Sequence, residues 1–298
     1  MAVTINDVAK LAGVSAQTVS RTINDPTLVS KKTLEKVQRA IDALDYHPNI
    51  TARFLVNKKV RSIGLFMPFS IDQVKQSLFF STLSSAICQF CSQNNFVMQM
   101  FTSLSREDSS RLFAKLFKER QVGALILTCP SVSNEELIYL LSEKIPFIII
   151  GRPGILSAQI PYVDVNNVQS GKLSIEHLIQ YGHKRIGFLN GPSNMTLSHD
   201  LRQGVADAVA AHGQPLTILE SETNLTLESG YAEALKLLRS DRPPTAIVAA
   251  DDLLAVGVKK AADELNLRIP EDLSLISGVL NGWGNILPFK LTHIDTQF

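Results

Sequence analysis

Over the first 46 residues, apolar positions recur at helical spacing in three short blocks. Ile5, Val8, Ala9 and Ala12 make the first, with Thr4 as its cap and Gly13 as the turn that follows. Ser15 caps the second, where Val19 and Ile23 face inward, and Asn24-Asp25-Pro26 ends it. Ser30 opens the third, whose stripe is Leu34, Val37, Ile41 and Leu44. Tyr46-His47-Pro48-Asn49 breaks the pattern, and Asn49 can cap a further short helix over residues 50–57. From Arg61 the texture changes. Apolar runs at 63–67, 96–101, 124–128, 147–150, 186–189, 246–249 and 273–276 alternate with helical blocks such as 107–119 and 252–265. Continuous apolar strands separated by helices predict parallel sheets covered on both faces. The repeat runs longer than one sheet normally needs, so the pattern predicts two similar α/β lobes with a crossover near residues 162–165. The expected layout is an all-α head over 1–46, a linker over 47–60, and lobes over 61–162 and 163–298.

Charge adds one asymmetry. The formal net charge of the 298 residues is +1, but the first 60 hold nine Lys and Arg against five acids, and the remainder twenty against twenty-three. A basic head on a slightly acidic body fits a phosphate-contacting module joined to a separate domain, although a chance fluctuation of composition gives the same counts. Apolar residues make up 45%, enough for a sizeable core, yet no apolar run is long enough to span a bilayer. The start, M-A-V-T-I-N-D-V-A-K-L-A-G, lacks the layout of a signal peptide, so a cytoplasmic protein with no membrane partner is expected.

Candidate chemistry is sparse. Cys88 and Cys91 form a C-x-x-C pair, but no second pair or nearby His completes a metal site. Both cysteines lie in a helical block and are expected to face the core. The six His residues have no metal spacing, and there is no nucleophile elbow, P-loop or dinucleotide glycine motif. An enzyme, a metal and a cofactor are therefore not expected.

The head suggests more. The second helix of a helix-turn-helix enters the major groove with its first residues against base edges. Here that helix reads Ser15-Ala16-Gln17-Thr18-Val19-Ser20-Arg21. With Val19 inward, Ala16, Gln17 and Arg21 point out. Gln suits adenine, Arg suits guanine, and Ala offers a methyl to thymine. Ser15, Thr18 and Ser20 are short hydroxyl residues suited to phosphates. An ordinary helical hairpin can have the same layout, and these residues alone leave both readings open.

T-I-N-D-V-A-K-L-A-G-V-S-A-Q-T-V-S-R-T-I-N (4–24), V-S-K-K-T-L-E-K-V (29–37) and Y-H-P-N-I-T-A-R-F-L (46–55) resemble the start of the LacI/GalR family of bacterial repressors. V-D-V-N-N-V-Q-S-G (163–171), Y-G-H-K-R-I-G-F-L-N-G-P (181–192) and R-P-P-T-A-I-V-A-A-D-D-L-L-A-V-G-V (242–258) resemble its effector domain. Within the family, Q-S-L-F-F (76–80) and the stretch from I-I-I-G-R-P to I-P-Y-V-D-V-N-N are similar to maltose-type regulators of Gram-positive bacteria. The resemblance implies a helix-turn-helix head on a two-lobed, periplasmic-binding-protein-like body of doubly wound parallel sheets. It implies that Ala16, Gln17 and Arg21 read bases. Ser15, Thr18, Ser20, Asn24, Ser30, Tyr46 and Asn49 match phosphate-holding positions, and Thr4 and Arg53 join the DNA-binding set. Ala52 and Leu55 match a hinge helix within 47–60 that folds on operator DNA and wedges Leu into the minor groove. The physics agrees, since an isolated eight-residue helix is unstable in water and an apolar wedge unstacks a base step.

For the body, the resemblance implies a small-molecule effector, a sugar, bound between the lobes at strand ends. The candidates are Phe79 and Phe80 as apolar walls, with Arg152, Arg202, Asp251, Trp283 and Gln297 as further contacts. The chain departs from the family in two places. The usual R-L-x-G becomes Asp200-Leu201-Arg202-Gln203-Gly204, which puts Leu201 in the Arg place and turns Arg202 by roughly 100°. The usual G-F-D-D becomes Gly278-Val279-Leu280-Asn281, with no acid. The chain also stops earlier than family members usually do, which implies a second lobe truncated at its C-terminus. The expected function is a homodimeric regulator, a repressor of a sugar-utilisation operon, that binds palindromic operator DNA. The alternatives are a truncated regulator that binds DNA but no effector, and a sugar-binding or sugar-processing enzyme.

Overall fold

The computed structural model describes residues 3–46, 60–102, 106–128, 135–154, 158–278, 287 and 289–296. The chain divides into two compact units, Met1–Val60 and Arg61–Phe298. In the first, α1 (Ile5–Ala12), α2 (Ala16–Asn24) and α3 (Lys31–Leu44) are joined by Gly13-Val14-Ser15 and a 3-10 turn over Pro26–Leu28. Gly13 takes φ 66, a left-handed turn at which glycine has no Cβ penalty. Val8, Ala9, Ala12, Val19, Val37 and Ala40 form the core, with Ile5, Ile23, Ile41 and Leu44 packed on it. Short side chains let three short helices approach closely enough to bury a common centre.

The second unit holds two five-stranded parallel sheets. The first is ordered β2-β1-β3-β4-β5, with β1 Ser62–Met67, β2 Val97–Thr102, β3 Ala124–Thr128, β4 Phe147–Ile150 and β5 Tyr162–Val163. Its helices are α4 (Ile71–Gln76), α5 (Leu78–Gln93), α6 (Arg106–Lys118) and α7 (Glu135–Ser142). Alternation along β1 feeds both faces. Phe66 packs with Phe113 and Leu125 on one side, its ring edge-on to Phe113 at 4.8 Å. Leu65 and Met67 pack with Phe80 and Leu83 on the other.

The second sheet is ordered β10-β9-β8-β6-β7, with β6 Arg185–Asn190, β7 Thr217–Glu222, β8 Ala246–Ala249, β9 Ser274–Ser277 and β10 Thr292–His293. Its helices are α8 (Asn167–Gln180), α9 (Thr196–His212), α10 (Leu227–Leu238) and α11 (Asp252–Glu264). Glycines set the helix spacing. A Cβ on Gly204 of α9 would lie 1.9 Å from the Val168 carbonyl oxygen of α8, and one on Gly257 of α11 would lie 2.5 Å from the Leu227 oxygen of α10. Only hydrogen fits at either crossing.

The α/β layers agree with the sequence pattern. β5, β7 and β10 are additional to the apolar runs, because two are only two residues long and β7 interleaves Glu220 and Glu222 with its apolar residues. One expectation is corrected: Cys91 is buried but Cys88 is exposed. The inward stripe of α5 runs Phe80, Leu83, Ile87, Cys91, and Cys88, one residue past Ile87, is turned away from it by about 100°.

Candidate nucleic-acid interface and ligand cleft

In the head, Ser15 caps α2 by accepting the Thr18 amide at 3.1 Å, and the two hydroxyls lie 2.9 Å apart. Thr22 Oγ1 donates to the Thr18 carbonyl at 2.8 Å, and Val19 is fully buried. These ties fix the rotation of α2. Gln17 and Arg21, one turn apart, share an exposed face, while Ala16 is half-buried against the core. Thr4 donates to Asp7 from its backbone N (2.9 Å) and its Oγ1 (2.7 Å), which holds the Asp7 carboxyl below its usual range. Ser30 caps α3 by accepting the Thr33 amide at 3.2 Å. Tyr46 packs on the head core, and Ser20 is half-buried. Asn24 is the last residue of α2. Asn49, Ala52, Arg53 and Leu55 lie outside the described residues.

In the body, β1 and β3 are the neighbours at which strand order reverses in the first lobe, and β6 and β8 are those in the second. Crevices beyond the carboxyl ends of parallel strands at such points are where α/β folds take ligands. Phe79 and Phe80 lie in the first turn of α5, beyond β1, with ring centroids 5.2 Å apart. Phe80 is buried and packs on Phe69, whereas Phe79 is half-exposed. Asp251 follows β8 and caps α11 by accepting the Leu254 amide at 2.9 Å. Burial, helped by the charge of Asp252, pushes its carboxyl up to about 7. The Asp252 carboxylate in turn accepts from Ser277 at the end of β9.

Arg152 follows β4, and its side chain crosses to the second lobe. Nε donates to Asp200 Oδ2 at 2.8 Å and Nη2 to Oδ1 at 2.5 Å, a bidentate pair from opposite lobes. Its backbone N donates to Asp164 Oδ2 at 2.8 Å, and Nη1 donates to the Gly154 carbonyl at 3.2 Å. Asn167 Nδ2 also donates to Asp164, at 3.2 Å, and among the described residues the buried Asn167 Oδ1 has no hydrogen-bond partner. Ser198 Oγ, two residues before Asp200 and also buried, is in the same condition. Arg202 is held elsewhere: its guanidinium lies on Glu220 of β7 at 2.7–3.0 Å. Leu201 is buried in the second-lobe core. Trp283 and Gln297 lie outside the described residues.

Asp200, Asp164 and Asn167 did not stand out in the sequence. The Asp-Leu-Arg order of 200–202 held the clue, because moving Arg off the inward position leaves an acid one residue before it.

A profile of bacterial regulatory proteins of the lacI family matches residues 4–49, and one of periplasmic binding protein-like domains matches residues 175–298. The transcriptional regulator MalR of Streptococcus pneumoniae is 32% identical over 277 residues, covering 91% of this chain and 82% of that one. The chain belongs to the LacI family. CelR of Thermobifida fusca, also a LacI-type relative, is 32% identical over 92% of this chain and 81% of its own. Among solved structures, the Lac repressor dimer bound to operator and the anti-inducer ONPF aligns over 99% of this chain and 88% of that chain, with TM-score 0.85 and 26% identity. A CelR–cellobiose complex aligns over 92% and 82%, with TM-score 0.67 and 28% identity. As a LacI-family member the protein is a DNA-binding transcriptional regulator and not an enzyme.

Proposed function

We propose that this chain is a homodimeric repressor whose α2 reads an operator half-site and whose body binds a neutral sugar between its lobes. The observation that carries the first part is the shared exposed face of Gln17 and Arg21 on a helix locked by Ser15 and Val19. One helix-turn-helix reads one half-site, so two copies meet a palindrome in the cytoplasm, where the DNA lies. The functional units of this reading are a head over 1–46, a hinge over 47–60 that includes Arg53 and Leu55, and lobes over 61–162 and 163–298. The sugar reading is supported by the side chains gathered at strand ends, namely Phe79, Arg152 and Asp251, and by the cellobiose held by CelR.

The experiment is operator selection from random oligonucleotides, followed by titration of the selected complex with a panel of neutral sugars. Arg21→Ala is expected to weaken the selected site by about 1–3 kcal/mol, roughly fivefold to over a hundredfold, while hardly changing non-specific binding. Equal losses on both DNAs would remove Arg21 from base reading. Release of operator by one sugar of the panel is the expected effector response, and a complex indifferent to every sugar would favour a regulator without an effector.

A further inference from the structure

The cleft carries its own counter-ion, and this has a consequence for which ligands it admits. We infer that Asp200 is a specificity-determining residue: by taking the Nε and Nη2 edge of the Arg152 fork, it makes the cleft refuse anionic ligands and accept donor-rich neutral ones. The inference rests on the effector reading of the interlobe cleft.

An arginine at a strand end is the natural seat for a phosphate or carboxylate. Here the fork edge of that seat is filled. Asp200 is nearly buried, its side chain 8% exposed, and it takes Nε and Nη2 at once, while Gly154 takes Nη1. An anion seeking a two-pronged contact on that edge must displace a carboxylate that has little water to turn to, and one that meets Arg152 end-on must sit beside that carboxylate and Asp164. Specificity of this kind comes from repulsion of the wrong ligand. The acceptors beside Arg152 point the same way. The Asp164 and Asp200 carboxylates beside Arg152 offer only lone pairs. A polyol supplies hydroxyl donors to such a surface, whereas a phosphate dianion has no donor to give. His199 Nδ1 lies 3.6 Å from Asp200 Oδ1, and Arg202, the other cation on α9 near this turn, is spent on Glu220. The charge on Arg152 is therefore matched by Asp200 before any ligand arrives.

The test uses the full chain and two probes, inorganic phosphate and cellobiose, titrated by calorimetry. Wild type is expected to show no saturable phosphate binding. Asp200→Asn, which keeps the shape and frees the guanidinium, is expected to gain it, with at least tenfold tighter binding, and adding Arg152→Gln should abolish the gain. Asp200→Ser is a second variant with the same expectation. Phosphate binding by wild type equal to that of the variants overturns the inference, and so does a folded Asp200→Asn that gains nothing. If both variants lose cooperative melting, the pair is a requirement of the fold and the ligand filter is refuted. Cellobiose reports separately on the effector reading: if no sugar binds while Asp200→Asn gains phosphate, the filter stands and the sugar assignment falls.

Discussion

Asp251→Asn isolates one buried charge. Asn caps a helix about as well as Asp, so the bond from the Leu254 amide survives the change. What disappears is a carboxylate that is 8% exposed, next to Asp252, and pushed up to about 7 from 3.8. The unfolded chain releases this proton near 3.8 and the folded one near 7, so between those values the folded state binds more protons. Stability from this group is fully present below the lower value and is lost as pH rises through the upper one. With a full shift of about three units and 1.36 kcal/mol per unit, the loss is on the order of 4 kcal/mol above pH 8. Urea unfolding of the body at pH 5, 6, 7 and 8 measures it. The difference between variant and wild type is expected to widen in favour of the variant by roughly 2–3 kcal/mol from pH 5 to pH 8, and most steeply below pH 7. Parallel pH profiles for the two proteins would show that Asp251 is not desolvated as described.

His183 makes the opposite prediction in an overlapping window. Its ring nitrogens meet Thr245 Oγ1 at 2.8 Å and Ser274 Oγ at 3.0 Å, and burial lowers its basicity below the usual 6.5. The unfolded state then takes up a proton where the folded state does not, so this group by itself should cost wild type stability as pH falls through 6.5. His183→Gln should lack that component, and an unchanged acid limb in its melting profile refutes the assignment. Gly204→Ala should destabilise the body by about 1–3 kcal/mol or more, because the new methyl lands on the Val168 carbonyl and α8 must move away from α9. A melting temperature equal to wild type would show that the two helices are not packed this closely.

The head was legible because its determinants are local. Ser15 and Ser30 cap the helices they precede, Gly13 makes the turn, and Val8, Val19 and Val37 recur at helical spacing. Each of these is settled within a few residues of chain, so a pattern of residue types carries it. The α/β body was legible for a related reason, since strands covered on both faces read as unbroken apolar runs. β7 escaped because it is an edge strand, with Glu220 and Glu222 interleaved among its apolar residues.

The cleft belongs to tertiary structure. Arg152 meets Asp200 from a different lobe, and Arg202 meets Glu220 from a neighbouring strand. Spacing along the chain says nothing about such pairs, because folding decides which distant loops share a strand end. The reversed order of Leu201 and Arg202 showed that something at this place had changed. Three dimensions decided the outcome: the inward leucine joined the core, the arginine turned to the sheet edge, and the acid before them took the charge that a ligand would otherwise have met.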